Sequence, residues 1–400
     1  MSEHTAEVIV AGHICLDIIP SLSEDGAGVG LDRLLAPGKL VAAGPAVLST
    51  GGAVSNTGIA LHRLGVAVSL MGKVGDDLFG RAVLEQLRRQ GAALADRMIV
   101  AAGEHTSYSV VISPPGIDRM FLHCTGANDT FRAADLKRDA LHGARLFHFG
   151  YPPLMKRMYA DGGAELADMM REVKRMGLTT SLDMARPDPE SEAGRADWNA
   201  ILARSLPDVD VFMPSLEEIL FMLNRPLHDR LAAAGGRLAD EIDGSALSEL
   251  SDRLIGMGAA IVLLKLGEEG LYLRTADEAR IRRMGKCAPE NVAQWAQREM
   301  LATCYRVEVA GTTGAGDCTI AGFLAGLLKG LSPESAMQSA VAVVACNVER
   351  KDATSGVPSW ETVQERIRSG WPKHPSRLSL PGWRYHDDAD LWIGPNDGKT

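Results

Sequence analysis

Short apolar runs alternate with amphipathic stretches along most of the chain. Runs at 7–14, 66–74, 145–149, 178–183, 209–213 and 259–266 predict strands, and amphipathic stretches at 55–64, 78–90, 159–176, 215–222 and 245–256 predict helices between them. Gly65, Gly91 and Gly177 stand where left-handed C-caps would close three of these helices. Strand and helix in alternation predict an α/β fold, with a largely parallel sheet, helices on both faces and right-handed crossovers.

Two stretches break this rhythm. Residues ~17–50 are rich in Gly and Pro, and in ~103–126 the segments TSYSVVIS and RMFLHC alternate around Pro114-Pro115-Gly116. Both read as small antiparallel elements standing off the main sheet, an appendage suited to act as a lid. Near the C-terminus, Asp317–Lys329 and Ser332–Arg350 form two helices separated by Gly330, the second with Ser332 as N-cap and Pro333 at its first position. Residues 371–400 carry three Trp with Pro, Gly and Asp and no periodicity, and read as a tail of unassigned role.

Composition narrows the function. With 46% apolar and 23% charged residues, the 400-residue chain has a globular balance, and 42 Gly against 6 Trp, 6 Tyr and 8 Phe point to tight turns around an aliphatic core. A net charge of -9 argues against broad capture of nucleic acid or an anionic membrane, so any anionic ligand must be held locally. Cys15, Cys124, Cys287, Cys304, Cys318 and Cys346 are scattered without metal-ligand spacing, as expected of reduced thiols in a cytoplasmic protein. The N-terminal apolar stretch is broken by Gly12, His13 and Asp17, and reads as a buried strand and not a signal peptide. No apolar run approaches the length of a membrane span.

The most informative segment is VEVAGTTGAGDCTIAGFLAGLLKG (307–330), where a strand enters a Gly-rich turn and then an apolar helix. Free N–H groups in the first helical turn, aided by the helix dipole, make a pocket for an anion. A carboxylate there, Asp317, would repel a phosphate, but it makes sense as acceptor of the proton from a nucleophile attacking phosphorus. The alternative is that the glycines only make a tight turn, with Asp317 as an N-terminal charge. Neither G-x-x-x-x-G-K-[ST] nor G-x-G-x-x-G with a following acid occurs, which disfavours a P-loop protein and a dinucleotide-binding dehydrogenase.

Segment 307–330 resembles the second signature of the ribokinase-like (PfkB) sugar kinases. Gly51-Gly52-Ala53-Val54-Ser55-Asn56 followed by TGIALHRLG looks like their first signature, and MGKVGDDLFG (71–80) is similar to their G-x-V-G-x-D-x-F-G element. With Asp17 at the end of the first strand, these motifs occur in family order over roughly residues 7–360.

The resemblance implies a three-layer α/β/α kinase domain over 1–370, with a mostly parallel central sheet and a small β lid. It also implies phosphoryl transfer from ATP to a primary alcohol of a small sugar or sugar acid, Mg²⁺ as cofactor and a homodimer. By position, Asp317 becomes the catalytic base, the amides of Gly314, Ala315 and Gly316 the anion hole, and Asp17, Gly51, Gly52 and Asn56 the substrate-hydroxyl contacts. On the nucleotide side, MPSLEEI (213–219) is similar to P-N-x-x-E, making Glu218 the candidate for organising Mg²⁺ through water, with Ser215 beside it. KLGEEG (265–270) resembles T-L-G-x-x-G, which puts Lys265, Gly267 and Gly270 beside the nucleotide, together with Thr313 and Asn347. Lys73, Asp76 and His148 lie close to these motifs, with a structural role open for each.

Four positions depart from the family pattern. Gly311 replaces an acid, which weakens monovalent-cation activation; Ser215 replaces Asn; Lys265 replaces Thr; and Asp183-Met184-Ala185-Arg186 stands for D-P-N-x-R. Lys265 is expected to supply fixed positive charge near the phosphates, although a solvated lysine at a strand end is the alternative. The chain between Gly270 and Gly311 exceeds the family's hairpin by roughly twenty residues, within the stretch 275–304, and Trp295 there suggests a nucleotide cover or an oligomer contact. A nucleoside kinase of the same fold and a sugar-binding relative without catalysis remain as competing readings.

Overall fold

Neighbouring residues of the central strands face two different cores, which is why those strands read as continuous apolar runs. The computed structural model describes residues 6–22, 36–113, 120–233, 235 and 241–398, so the turn expected at Pro114-Pro115-Gly116 lies outside the described residues. The strands are β1 (Val8–Gly12), β2 (Cys15–Pro20), β3 (Ala46–Gly51), β4 (Val68–Met71), β5 (Lys73–Gly75), β6 (Ile99–Ala101), β7 (Tyr108–Ile112) and β8 (Met120–Cys124). They continue with β9 (Leu146–Gly150), β10 (Thr179–Leu182), β11 (Val211–Phe212), β12 (Ile261–Lys265), β13 (Leu271–Thr275), β14 (Glu299–Ala302), β15 (Arg384–His386) and β16 (Leu391–Ile393). The principal helices are α1 (Ala53–Arg63), α2 (Leu78–Gln90), α3 (Ala164–Arg175), α4 (Leu216–Leu223), α5 (Gly244–Gly256), α6 (Ala315–Leu328) and α7 (Pro333–Val348).

The main sheet has the order β15-β16-β14-β13-β12-β11-β10-β9-β1-β4. It is parallel from β12 to β4 and antiparallel from β12 outwards to β15. In β1, Val8 and Val10 join the core under α1, α2, α6 and α7, whereas Ile9 and Ala11 join the core under α3, α4 and α5. This is the three-layer α/β/α arrangement. Within one layer, α6 and α7 approach closely: a Cβ on Gly322 would lie 2.8 Å from the Ala340 Cα.

The appendage is the four-stranded sheet β3-β2-β7-β8, separate from the main sheet and not wholly antiparallel as expected, because β2 and β7 pair in parallel. It presents Val47, Leu48, Phe121 and Leu122 to solvent.

Several expectations are corrected. The run 66–74 is not one strand: the chain leaves the main sheet at Gly72, where a Cβ would lie 2.6 Å from the Ile14 Cγ2, and β5 pairs instead with β6. The helix expected over 159–176 begins at Ala164, because Asp161, Gly162 and Gly163 are all left-handed (φ 51°, 61° and 72°) and break the turn. Gly65 and Gly177 are left-handed (φ 81° and 82°), but Gly91 is extended and is small for another reason, since a Cβ there would lie 2.8 Å from the His62 Nε2. Trp295 neither covers a cleft nor meets a partner. It is buried in the core, 6.1 Å edge-on from Phe323, and the inserted stretch delivers β14 to the sheet. Within 371–400, β15 and β16 extend the main sheet beyond β14, so this segment is part of the domain's architecture.

All six cysteines are free thiols. Among the described residues, no helix is long and apolar enough to cross a membrane.

Candidate active site

The Gly-rich segment turns into α6 through Gly314, whose left-handed backbone (φ 69°) and 2.4 Å approach of a would-be Cβ to the Ala353 carbonyl both require glycine. The Ala315 N–H donates to the Thr312 carbonyl (3.2 Å), so this amide of the expected anion hole also closes the turn. Asp317 follows in the first turn of α6, with 2% of its surface exposed. Its Oδ2 accepts from the Asn56 Nδ2 (3.1 Å) and the Tyr151 hydroxyl (2.8 Å), and its Oδ1 accepts from the Thr57 hydroxyl (3.0 Å). Burial pushes the Asp317 carboxyl above the ordinary carboxylate range, against the pull of Lys265 and of these three donors.

Two of these donors come from the start of α1, where Gly52 is the N-cap and Asn56 and Thr57 lie one turn in. The third comes from the C-terminal end of β9, the end of a parallel sheet at which α/β proteins build their sites. Tyr151 holds φ 66° and ψ 44° directly before Pro152. A left-handed non-glycine residue costs about 1–3 kcal/mol, which the surrounding structure must offset.

Lys265 ends β12, and its N–H donates to the Pro214 carbonyl (3.0 Å). It is not a solvated strand-end lysine: its side chain is 12% exposed and its ammonium donates to the Asp183 Oδ1 at 2.7 Å. A Cβ on Gly316 would sit 3.4 Å from the same Nζ, so the ammonium lies against the Gly-rich turn. Burial drives the Asp183 carboxyl up to about 8, helped by the carboxylates of Glu218 and Asp317 and opposed by Lys265. Burial likewise raises Glu218. The same carboxylates hold the Lys265 ammonium above its usual range despite its burial. Nearby, His148 is fully buried with Nδ1 3.0 Å from the Ser181 hydroxyl, and burial with the Lys265 charge pushes it down to about 3, which makes it a neutral core histidine.

Glu218 and Ser215 form a capping box at the start of α4: the Ser215 N–H donates to the Glu218 Oε2 (2.7 Å) and the Glu218 N–H to the Ser215 hydroxyl (3.2 Å). Among the described residues, no three His, Cys, Asp or Glu side chains form a metal-binding set. Yet the Lys265 ammonium pairs with the buried Asp183 carboxylate and is also drawn by those of Glu218 and Asp317, and the Asp183 Oδ2 is buried without a hydrogen-bond partner. That donor set suits a largely hydrated Mg²⁺, a hard cation held by one or two carboxylates, and not an all-protein cage.

A cleft of about 500 Å³ opens beside this cluster, lined by Lys265, Gly267, Gly270, Thr312, Ala315 and Gly316, with Val307, Val309, Val341, Val344, Ala345 and Val348 as its apolar side. Ser215, Glu218, Thr313 and Asn347 do not line it. Asn347, expected beside the nucleotide, is buried in α7 and donates from Nδ2 to the Thr313 carbonyl (3.2 Å), bracing the Gly-rich turn from behind. The α7 residues that do line the cleft are Val341, Val344, Ala345 and Val348, spaced as one face of a helix.

Of the residues expected on the acceptor side, Gly51 and Asp17 are brought together. Gly51 pairs with Cys15 across β3 and β2, and a Cβ on it would lie 2.4 Å from the Asp17 Oδ2, so only glycine admits the Asp17 carboxylate there. Gly52 (φ 89°) would place a Cβ 2.6 Å from the His13 carbonyl. Asn56 is not a helix N-cap; besides holding Asp317 it lines a polar cavity of about 230 Å³ with Ser49, Thr50 and Arg63. Lys73 is committed to structure, pairing with Glu104 (3.0 Å) and the Thr130 hydroxyl (2.8 Å), and Asp76 faces solvent with Arg81.

Residues 6–360 match the pfkB family carbohydrate kinases. The chain belongs to this family. It is 27% identical to an uncharacterized sugar kinase of Archaeoglobus fulgidus, covering 72% of this chain and 94% of that one, and 26% identical to the 2-dehydro-3-deoxygluconokinase of Bacillus subtilis, covering 73% and 78%. A ribokinase of Arabidopsis thaliana, solved with ribose and ATP, shares the fold with a TM-score of 0.68 at 17% identity, covering 91% of this chain and 99% of that one. A fructokinase of Xylella fastidiosa, solved with bound ATP, gives a TM-score of 0.65 at 20% identity over 91% and 99%.

Within this pfkB kinase, sequence reasoning missed Thr57 and Tyr151 as partners of Asp317, and His13 and His123, whose Nε2 atoms lie 3.4 Å apart between main sheet and lid. For Tyr151 a signal existed: an apolar strand ending in Gly150-Tyr151-Pro152-Pro153 marks a C-terminal strand edge.

Proposed function

We propose that this pfkB kinase transfers the γ-phosphoryl group of ATP to the primary hydroxyl of a small sugar or sugar acid, with Asp317 as general base. The observation that carries this reading is the Asp317 carboxylate, buried in the first turn of α6 and fixed by Asn56, Thr57 and Tyr151 beside an amide-lined turn. The acceptor oxygen attacks the γ-phosphorus, the bond to the bridging β–γ oxygen breaks, and the hydroxyl proton passes to Asp317. Its raised pKa makes it a stronger base than an ordinary aspartate. Main-chain amides of Gly314 and Gly316, with the Lys265 ammonium, stabilise charge on the migrating group. Mg²⁺, held through water by Glu218 and Asp183, would neutralise phosphate charge. Asp17, Gly51, Gly52 and Asn56 orient the acceptor hydroxyls.

A sugar is favoured over a nucleoside. Phe147 is buried in the core, Phe121 is 53% exposed on the lid and Phe79 packs on Tyr108, so these rings do not form a base-stacking slot. The name of the Bacillus subtilis relative supports a sugar acid as one candidate. The exposed Val47, Leu48, Phe121 and Leu122 of the lid support the homodimer.

Release of ADP from ATP and Mg²⁺ across pentoses, hexoses, sugar acids and nucleosides tests the proposal. Turnover on one sugar class is expected. Turnover on nucleosides alone would overturn the acceptor assignment, and none on any alcohol would favour a binding protein.

A further inference from the structure

The cleft beside Lys265 has a wall that the family match does not reach. The match ends at residue 360, whereas His374, Pro375 and Arg377 line the cleft. They belong to a strap, residues 371–377, fastened at both ends. The Trp371 ring stacks on Tyr305 (centroids 4.5 Å apart) and its Nε1 donates to the Arg306 carbonyl (3.0 Å). The Arg306 N–H donates to the Pro372 carbonyl, and the His374 N–H to the Cys304 carbonyl, each at 2.9 Å. At the other end Arg377 Nε donates to the buried Glu269 at 2.7 Å, locking the strap to the loop Gly267–Glu269. The strap is therefore a fixed edge of the cleft.

What it presents is an exposed imidazole, in a cleft that also holds the 59% exposed side chain of Val309. An apolar side chain left open in a concave site favours a ligand that removes it from water, and a planar ring with donors and acceptors at its edge suits both valine and imidazole. Gly316, whose amide is assigned above to the phosphate, and Lys265 line the same cleft, so the ligand that fits is a nucleotide with its base toward the strap.

We propose that His374, held by this strap beyond the end of the family match, is a further nucleotide-binding residue that contacts the base. The proposal rests on reading this cleft as the ATP site.

The test is calorimetric titration of the full chain with MgATP and with magnesium tripolyphosphate, which carries no base, for the wild type, His374→Ala and Arg377→Gln. His374 is exposed, so its replacement is expected to leave the melting temperature unchanged. His374→Ala should weaken ATP binding by about three- to tenfold, the scale of one hydrogen bond, and leave tripolyphosphate affinity and the acceptor KM unchanged. Arg377→Gln, which loosens the strap, should shift ATP affinity in the same direction. Equal ATP affinity in wild type and His374→Ala, or an equal loss of tripolyphosphate affinity, would overturn the proposal while leaving the kinase reading intact. A wild type that does not bind MgATP would overturn both.

Discussion

Tyr151 donates its hydroxyl hydrogen to the Asp317 Oδ2 at 2.8 Å, from a backbone held in the left-handed region at φ 66°. The strain and the contact belong together: the turn into Pro152 brings the phenol back over the end of the sheet. On the proposed mechanism Tyr151 is a positioning residue for the base, and its hydrogen bond draws the Asp317 pKa down against burial. Tyr151→Phe is expected to lower kcat/KM by roughly tenfold, the scale of a hydrogen bond to a charged group. It should also move the acid limb of the pH–rate profile upward, because the remaining carboxylate loses a donor to its ionised form. An unchanged acid limb would mean that the hydroxyl does not act on Asp317.

The Lys265–Asp183 pair makes stability depend on pH. The Asp183 carboxyl is pushed up to about 8 in the folded chain, above the ~3.9 of an unfolded aspartate. Between those values the folded state keeps a proton that the unfolded state has lost, so stability falls as pH rises through that window. Lys265→Met leaves the buried Asp183 carboxylate without its ammonium and should destabilise the protein by about 3–5 kcal/mol at pH 8, the usual cost of breaking a buried pair. The loss should shrink toward pH 5, as the carboxyls protonate. Urea unfolding at the two pH values measures this directly, and a loss that is equal at both would contradict the electrostatic account.

Gly51 is a glycine because of Asp17. A methyl group at position 51 would fall 2.4 Å from the Asp17 Oδ2 and displace the carboxylate assigned to acceptor hydroxyls. Gly51→Ala should raise the acceptor KM by roughly tenfold or more, a loss on the scale of one charge-assisted hydrogen bond, and leave the ATP KM unchanged. Equal changes in both constants would point to a general distortion of the lid.

Much of this arrangement was legible in the residues. The Gly-rich turn into α6 announced itself through its glycines, because few side chains fit where Gly314 meets Ala353, but the strand expected before it is absent, since β14 ends at Ala302. The parallel core was legible because both faces of β1 and β12 are buried, which leaves unbroken apolar runs. Local pattern was blind wherever tertiary contact decided the outcome. Gly72 looks like any strand glycine until Ile14 packs against it, and Trp295 looks like a surface aromatic until Phe323 covers it. Residues 371–400 lack periodicity because β15 and β16 are three residues each, too short to show one. Asn347 carries the right residue type at a family position, but its amide serves the Thr313 carbonyl and its helix neighbours line the cleft.

The central claim is that the Asp317 carboxylate takes the acceptor proton. Single-turnover phosphoryl transfer by Asp317→Asn, an isosteric change that keeps a polar partner for Asn56, Thr57 and Tyr151, tests it most directly. A rate about 10²–10⁴-fold below wild type, with nucleotide and acceptor still bound, is the predicted result. A rate equal to that of the wild type would contradict it.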